Sequence, residues 1–324
     1  MLKNKNTLIL IGILAICVAV CLILAIFVVK NLFTPADQPD VEWMELPITE
    51  NMTLTEAKLI LDELQIYYEI VPTSSRVANR VERIEFIGKE ENGKRLFEIG
   101  TQIKIHSNEV GIDKVIYLTF DDGPTRDNTF DILDTLDTFG IKASFFTVGE
   151  DIKLWKDRMV ATVDRGHLVA CHSHTHRFDV VYSSINAFLD EVRQYENALK
   201  EAIGEDKFNK MPKIIRFPGG TNNARLSTED ALKYISAVRD YGYRVYDWTA
   251  LTGDAEGKND AQVFISCLSS GLEKAKKNNE PLIVLMHDKW STNEALSDII
   301  SHLVSEGYYF DTVDACNEYT FVEK

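Results

Sequence analysis

Apolar and polar positions follow three different patterns along this chain. From Thr7 to Val29 the residues read TLILIGILAICVAVCLILAIFVV with no charge among them, longer than the roughly 20 apolar residues a membrane-crossing helix needs. Lys3 and Lys5 precede this run and only Lys30 follows closely. That places the short amino end in the cytoplasm and the bulk of the chain outside. A cleaved signal peptide is the alternative, but it would have a shorter apolar core and a small-residue cleavage site. Cys17 and Cys21 each follow a bulky residue, which argues against lipid attachment.

The second pattern begins after a proline-containing linker. Leu54, Ala57, Leu61 and Leu64 recur at helical spacing behind Thr53-Leu54-Thr55-Glu56, a hydroxyl with a following acid that can cap a helix. Strand-like runs follow at Ile66 to Val71, Val81 to Gly88 and Thr101 to His106. From Lys114 onward the pattern changes again, to short apolar runs separated by amphipathic segments. Val115 to Phe120, Ala143 to Val148, His167 to Ala170, Ile214 to Phe217, Tyr243 to Tyr246 and Leu282 to Met286 read as buried strands, with helices such as Thr129 to Phe139 and Ser184 to Ile203 between them. This alternation implies an α/β fold of parallel strands wrapped by helices. The expected organisation is a cytoplasmic end (1–6), a transmembrane helix (7–29), a linker (30–45), a small α+β domain (46–108) and a large domain (112–324).

The formal net charge is -15 over 324 residues. A chain so acidic is repelled by nucleic-acid phosphates and by anionic lipid surfaces, so nucleic acid is excluded as a partner and membrane contact is left to the apolar helix. Beyond that helix only Cys171, Cys267 and Cys316 remain, too few for a disulfide framework.

The candidate chemistry collects just after the predicted strands. Asp121 and Asp122 follow the Val115 to Phe120 run, and His172 and His176 follow His167 to Ala170. Two imidazoles and a carboxylate form a facial set that binds a divalent metal and leaves positions open. A second carboxylate beside them can act on water, which points to metal-assisted hydrolysis. Zinc is favoured, with Co2+, Mn2+, Ni2+ and Fe2+ as alternatives.

These residues, in this order, resemble the polysaccharide deacetylase family, carbohydrate esterase family four, over about Lys114 to Val313. Thr119-Phe120-Asp121-Asp122-Gly123 is similar to its first motif, His172-Ser173-His174-Thr175-His176 to its second, and Arg216-Phe217-Pro218-Gly219-Gly220 to its third. Trp248 to Asp254 is similar to a weakened fourth motif, and Leu285-Met286-His287 to the fifth. The resemblance implies a distorted (β/α) barrel that hydrolyses N-acetyl groups on a polysaccharide, most simply peptidoglycan N-acetylglucosamine. It assigns the metal to Asp122, His172 and His176, the base to Asp121 and the acid to His287. Arg216 and Asp254 would hold that pair, and Gly219, Trp248 and Leu285 would face the substrate. Three positions depart from the pattern: Gly219, where relatives often carry an aromatic residue; Ala255, often Trp; and Leu251, often Asp. An O-acetyl esterase and a catalytically silent wall-binding protein are the competing readings.

The stretch from Leu46 to Asn108 resembles a PASTA module through Met52-Thr53-Leu54-Thr55-Glu56-Ala57, Tyr67-Tyr68-Glu69-Ile70-Val71 and Gly100-Thr101-Gln102-Ile103-Lys104-Ile105. Glu90-Glu91-Asn92-Gly93 replaces that module's usual Gly-Pro-rich turn. The likeness implies contact with peptidoglycan; an inert spacer is the alternative reading.

Overall fold

The computed structural model describes residues 42–257 and 260–323. The run at 7–29 expected to cross the membrane lies outside them; among the described residues no helix is long and apolar enough to do so.

The described residues form two compact units, one comprising 42–71 with Val81–His106, the other Pro72–Arg80 with the described part of 107–323. In the smaller unit, β1 (Trp43–Glu45) precedes helix α1 (Leu54–Glu63), and β2 (Tyr68–Val71), β3 (Arg83–Glu85), β4 (Gly88–Glu91), β5 (Lys94–Glu98) and β6 (Ile103–His106) follow. The cap at Thr53 forms as expected: its hydroxyl accepts from the Glu56 N–H, and the Glu56 carboxylate accepts from the Thr53 N–H. β6 lies between β2 (parallel) and β3 (antiparallel), which places Ile103 and Ile105 against Leu54, Ala57 and Leu61 of the helix. A second sheet, ordered β1-β5-β4, was not anticipated. Its β4–β5 hairpin turns through Asn92 and Gly93, both at positive φ, as a tight two-residue turn requires.

The larger unit is built on β7 (Val115–Gly123), β8 (Ser144–Thr147), β9 (Leu168–Cys171), β10 (Ile214–Ile215), β11 (Arg244–Val245), β12 (Ala250–Leu251), β13 (Leu282–His287) and β14 (Tyr309–Phe310). Its helices are α2 (Thr129–Thr138), α3 (Gly149–Leu154), α4 (Lys156–Asp164), α5 (Ile185–Ile203), α6 (Thr228–Asp240), α7 (Ala261–Lys277) and α8 (Trp290–Ser305), together with short turns. The strands form one parallel sheet ordered β11-β10-β9-β8-β7-β13-β12, with β14 beside the start of β7. The sheet curls into a half barrel with β11 and β12 at its edges. Pro72–Arg80, which the sequence reading places in the small domain, packs with this unit. Val77 pairs with Phe310, and the Arg80 guanidinium reaches Asp311 and Asp314.

The six strands read from the sequence are all present. β7 is longest because its inward and outward residues are both buried, against α2 on one side and Phe146 and Tyr246 on the other. β12 and β14, each two residues long, carry no apolar run that could mark them. In a parallel sheet of this kind every strand delivers its last residue to the same rim, where chemistry collects.

Candidate metal and catalytic centre

β7 ends in an irregularity. Its register against β8 shifts between Asp121 and Gly123, and Asp122 sits at φ 71. A bulge of this kind re-aims side chains. Asp121 therefore stays buried, at 3% exposure, while its neighbour Asp122 turns to the half-open mouth. Gly123 is required on the far side: a Cβ there would come within 2.5 Å of the Asp288 carboxylate.

β9 delivers His172 and the loop after it delivers His176. One oxygen of Asp122 lies 3.6 Å from His172 Nε2 and 3.4 Å from His176 Nε2. The ligand atoms of Asp122, His172 and His176 all lie within 4.8 Å of one another. Nδ1–H of His172 donates to the Arg216 carbonyl at 2.9 Å, so the Nε2 lone pair points into the cluster. Burial, reinforced by His172, outweighs the nearby carboxylates and lowers the pKa of His176, favouring the neutral ring that ligation requires. The site's field is acidic: burial, with Glu150, Asp122 and Asp288, pushes Asp151 up to about 6. Residues and field both fit a divalent cation.

On one side of this cluster lies Asp121. Arg216, with no exposed surface, donates to Asp121 Oδ1 and to the Thr119 hydroxyl, each at 2.7 Å. Its other nitrogens reach the carbonyls of Tyr246 (3.0 Å) and Asp247 (3.1 Å), and its plane lies 4.0 Å from the Phe146 ring centre. All three guanidinium nitrogens are engaged, so the group cannot swing away from the carboxylate. The second oxygen of Asp121 is left 3.6 Å from His172 Nε2.

On the other side lies His287, paired in register with Asp121 across β13 and β7. Its Nδ1 is bonded to Asp254 Oδ1 at 2.9 Å, while Asp254 Oδ2 accepts from the His287 N–H at 2.8 Å and from the Thr292 hydroxyl at 2.6 Å. Burial disfavours charge on His287, yet Asp254, Asp121 and Asp122 together outweigh it and raise the pKa. Burial would likewise raise the pKa of Asp254, but its bonds from His287 and Thr292 prevail and lower it. The arrangement favours an imidazolium beside a carboxylate.

Leu285 is buried on β13, opposite Leu251 of β12. Trp248 packs edge-on against Phe321, ring centres 4.9 Å apart. Gly219 sits at φ 76, and a Cβ there would meet the Phe178 ring at 3.1 Å. The aromatic side chain absent from position 219 thus has its space filled by Phe178, which also packs edge-on against His176. Among the described residues the Gly219 N–H has no acceptor. Leu251 and Ala255 are exposed.

Sequence reasoning missed several supporting residues. Asp288 accepts the hydroxyls of Thr125 and Thr129. Asp247 accepts the Thr221 N–H and hydroxyl and the Phe321 N–H, tying the third-motif loop to the carboxyl-terminal tail. Glu191 holds the histidine loop. The adjacent Asp after His287 and the acid inside an apolar helix stripe were visible signals for two of them.

With this geometry in view, the comparisons with known proteins agree on one class of enzyme. The family profile for polysaccharide deacetylase matches residues 108–245. The chain is 30% identical to the catalytic domain of peptidoglycan N-acetylglucosamine deacetylase from Eubacterium rectale, covering 65% of this chain and 94% of that one with a TM-score of 0.56. A Streptococcus mutans CE4 esterase is also 30% identical, with a TM-score of 0.54, over 62% of this chain and 86% of its own. The peptidoglycan-N-acetylglucosamine deacetylase of Bacillus cereus is 29% identical over 235 residues, 69% of this chain and 80% of that protein. The chain belongs to the polysaccharide deacetylase family.

Proposed function

We propose that this protein removes N-acetyl groups from the N-acetylglucosamine of peptidoglycan, using zinc held by Asp122, His172 and His176. The observation that carries the reading is the three-ligand cluster flanked by two ion pairs, Asp121 with Arg216 and His287 with Asp254. A divalent ion held by these three residues would supply Lewis-acid polarisation of the acetyl carbonyl and would bring the pKa of water from about 16 toward 7.

The protein supplies the rest. Asp121, held by Arg216 through one oxygen, takes the proton of the attacking water with the other. The Gly219 N–H, which has no acceptor among the described residues, is available to the oxygen that gains charge as the carbonyl is attacked. His287 gives its proton to the nitrogen as the C–N bond breaks, because an amide anion is too poor a leaving group. Leu285 and Trp248 bound the space for the acetyl methyl. Acid and base lie on neighbouring strands, and Asp254 holds His287 toward its protonated, proton-donating form.

The apolar run at 7–29 would anchor the chain, with both units on the outer face of the membrane. The smaller unit, similar in motif to a PASTA module, would add affinity for the wall.

The test is to incubate the full chain, in detergent, with purified peptidoglycan and with N-acetylglucosamine oligomers, before and after chelation and zinc return. Zinc-dependent acetate release, with muropeptides lighter by one acetyl on the glucosamine, is expected. Acetyl loss confined to muramic acid would overturn the sugar assignment. Loss confined to O-acetyl groups would overturn the amidase assignment.

A further inference from the structure

Helix α5 breaks its own pattern at Glu191. Its buried stripe runs Phe188, Glu191, Val192, Tyr195, Ala198 and Leu199, the spacing of an amphipathic helix, so position 191 calls for an apolar residue. The side chain is 2% exposed. Burying a carboxylate is unfavourable unless it is paired or richly hydrogen-bonded. The same helix buries a second acid, Glu196, which has the Lys213 ammonium and two tyrosine hydroxyls, each at 3.0 Å. Glu191 has no cation partner among the described residues.

Its donors all come from the loop between His172 and His176. Glu191 Oε2 accepts the N–H of His174 at 2.9 Å and of Thr175 at 2.7 Å, and the Thr175 hydroxyl lies 3.1 Å from both oxygens. Successive N–H groups converging on one anion form a nest. The loop needs such support: Ser173 (φ 72) and His176 (φ 54) are non-glycine residues in the left-handed region. Its outer side is fixed separately, with the N–H groups of Gly149 and Glu150 donating to the carbonyls of Ser173 and His174. The carboxylate completes the clamp from within. Without it, the buried His174 N–H and the part-buried Thr175 N–H lose their acceptor and the loop is free to relax, carrying His176 with it.

We propose that Glu191 is a positioning residue for the metal centre: its carboxylate holds the loop in ligating shape and thereby sets metal affinity. This rests on the metal-binding reading above. The experiment strips the full chain of metal and measures zinc affinity by competition with a chromophoric chelator, for the parent, Glu191→Gln, Glu191→Ala and Thr175→Val. Near-UV circular dichroism and thermal unfolding of the metal-free forms are read alongside. Glu191→Gln keeps the volume but presents an amide to a ring of donors, so affinity should fall roughly 10- to 100-fold, as for other groups that orient metal ligands. Glu191→Ala should lose at least as much, and Thr175→Val less but in the same direction. A folded Glu191→Gln with parental zinc affinity overturns the proposal. If neither Glu191 variant folds, unchanged affinity in Thr175→Val overturns it. A parent that binds no zinc instead removes the metal-centre reading itself.

Discussion

Replacing Asp254 by Asn separates charge from shape at the proposed acid. Asp254 bonds the Nδ1 and the backbone N–H of His287 and also takes the Thr292 hydroxyl. An amide of the same size can accept only through one atom, and its nitrogen opposes the protonated ring. Hydrogen bonds to charged groups contribute about 1.5–3 kcal/mol, which corresponds to one to two pKa units at about 1.4 kcal/mol each. His287 is raised in the parent, with burial opposing and Asp254 the leading favourable cause, so the variant's value must fall. Because the protonated ring is the acid, activity is lost as pH rises through that pKa. The alkaline limb of kcat/KM should therefore move down by about one to two units, with kcat on an N-acetylated oligomer reduced by about 10²- to 10⁴-fold at neutral pH. Zinc content should stay at the parental level. The same pair makes a stability statement: the raised histidine contributes below its unfolded pKa and loses that contribution as pH rises through the folded one. The lowered Asp254 contributes above its unfolded pKa and loses it on acidification. The parent's advantage over Asp254→Asn in thermal unfolding should accordingly be widest between those limits. An alkaline limb that does not move, in a variant with full zinc, would show that Asp254 does not charge His287.

His172→Ala and His176→Ala should each lose stoichiometric metal and activity together; full zinc by elemental analysis in either would remove it from the ligand set. His287→Ala should impair cleavage of an N-acetylated sugar oligomer more than of an aryl acetate, since the ester's leaving group needs little protonation. Equal losses on the two substrates would leave His287 a support for the site and end the amidase mechanism. The whole chain should remain with membranes through a high-salt wash, because an apolar helix is insensitive to screening. A mature form beginning near Phe33 in the medium would refute the anchor.

Much of the larger unit was legible in the chain because its signals are local. In β7 a run from Val115 to Phe120, apolar except for Thr119, leads into Asp121 and Asp122, and in β13 the apolar run Leu282 to Met286 leads into His287; a parallel sheet sends such ends to one rim. The histidine pair and the five ordered motifs needed only spacing and residue type. In the smaller unit, the Thr53 to Glu56 cap and the alternation of Ile103 and Ile105 marked the helix and the central strand.

Other features depend on partners far away in sequence. The exposed, charged β4 and the β5 strand beside it carry no apolar run, although Asn92-Gly93 was a hairpin signal. Pro72–Arg80 takes its place from Phe310, Asp311 and Asp314, more than two hundred residues on. Phe178 filling the space above Gly219, Asp288 packed against Gly123, and Glu191 beneath the histidine loop are likewise products of packing. Composition and periodicity determined the strands, their burial and the chemistry delivered at their ends. Only the tertiary structure decided which buried carboxylate meets a guanidinium, an imidazole or a row of N–H groups, because a buried charge is set by neighbours that the local chain does not specify.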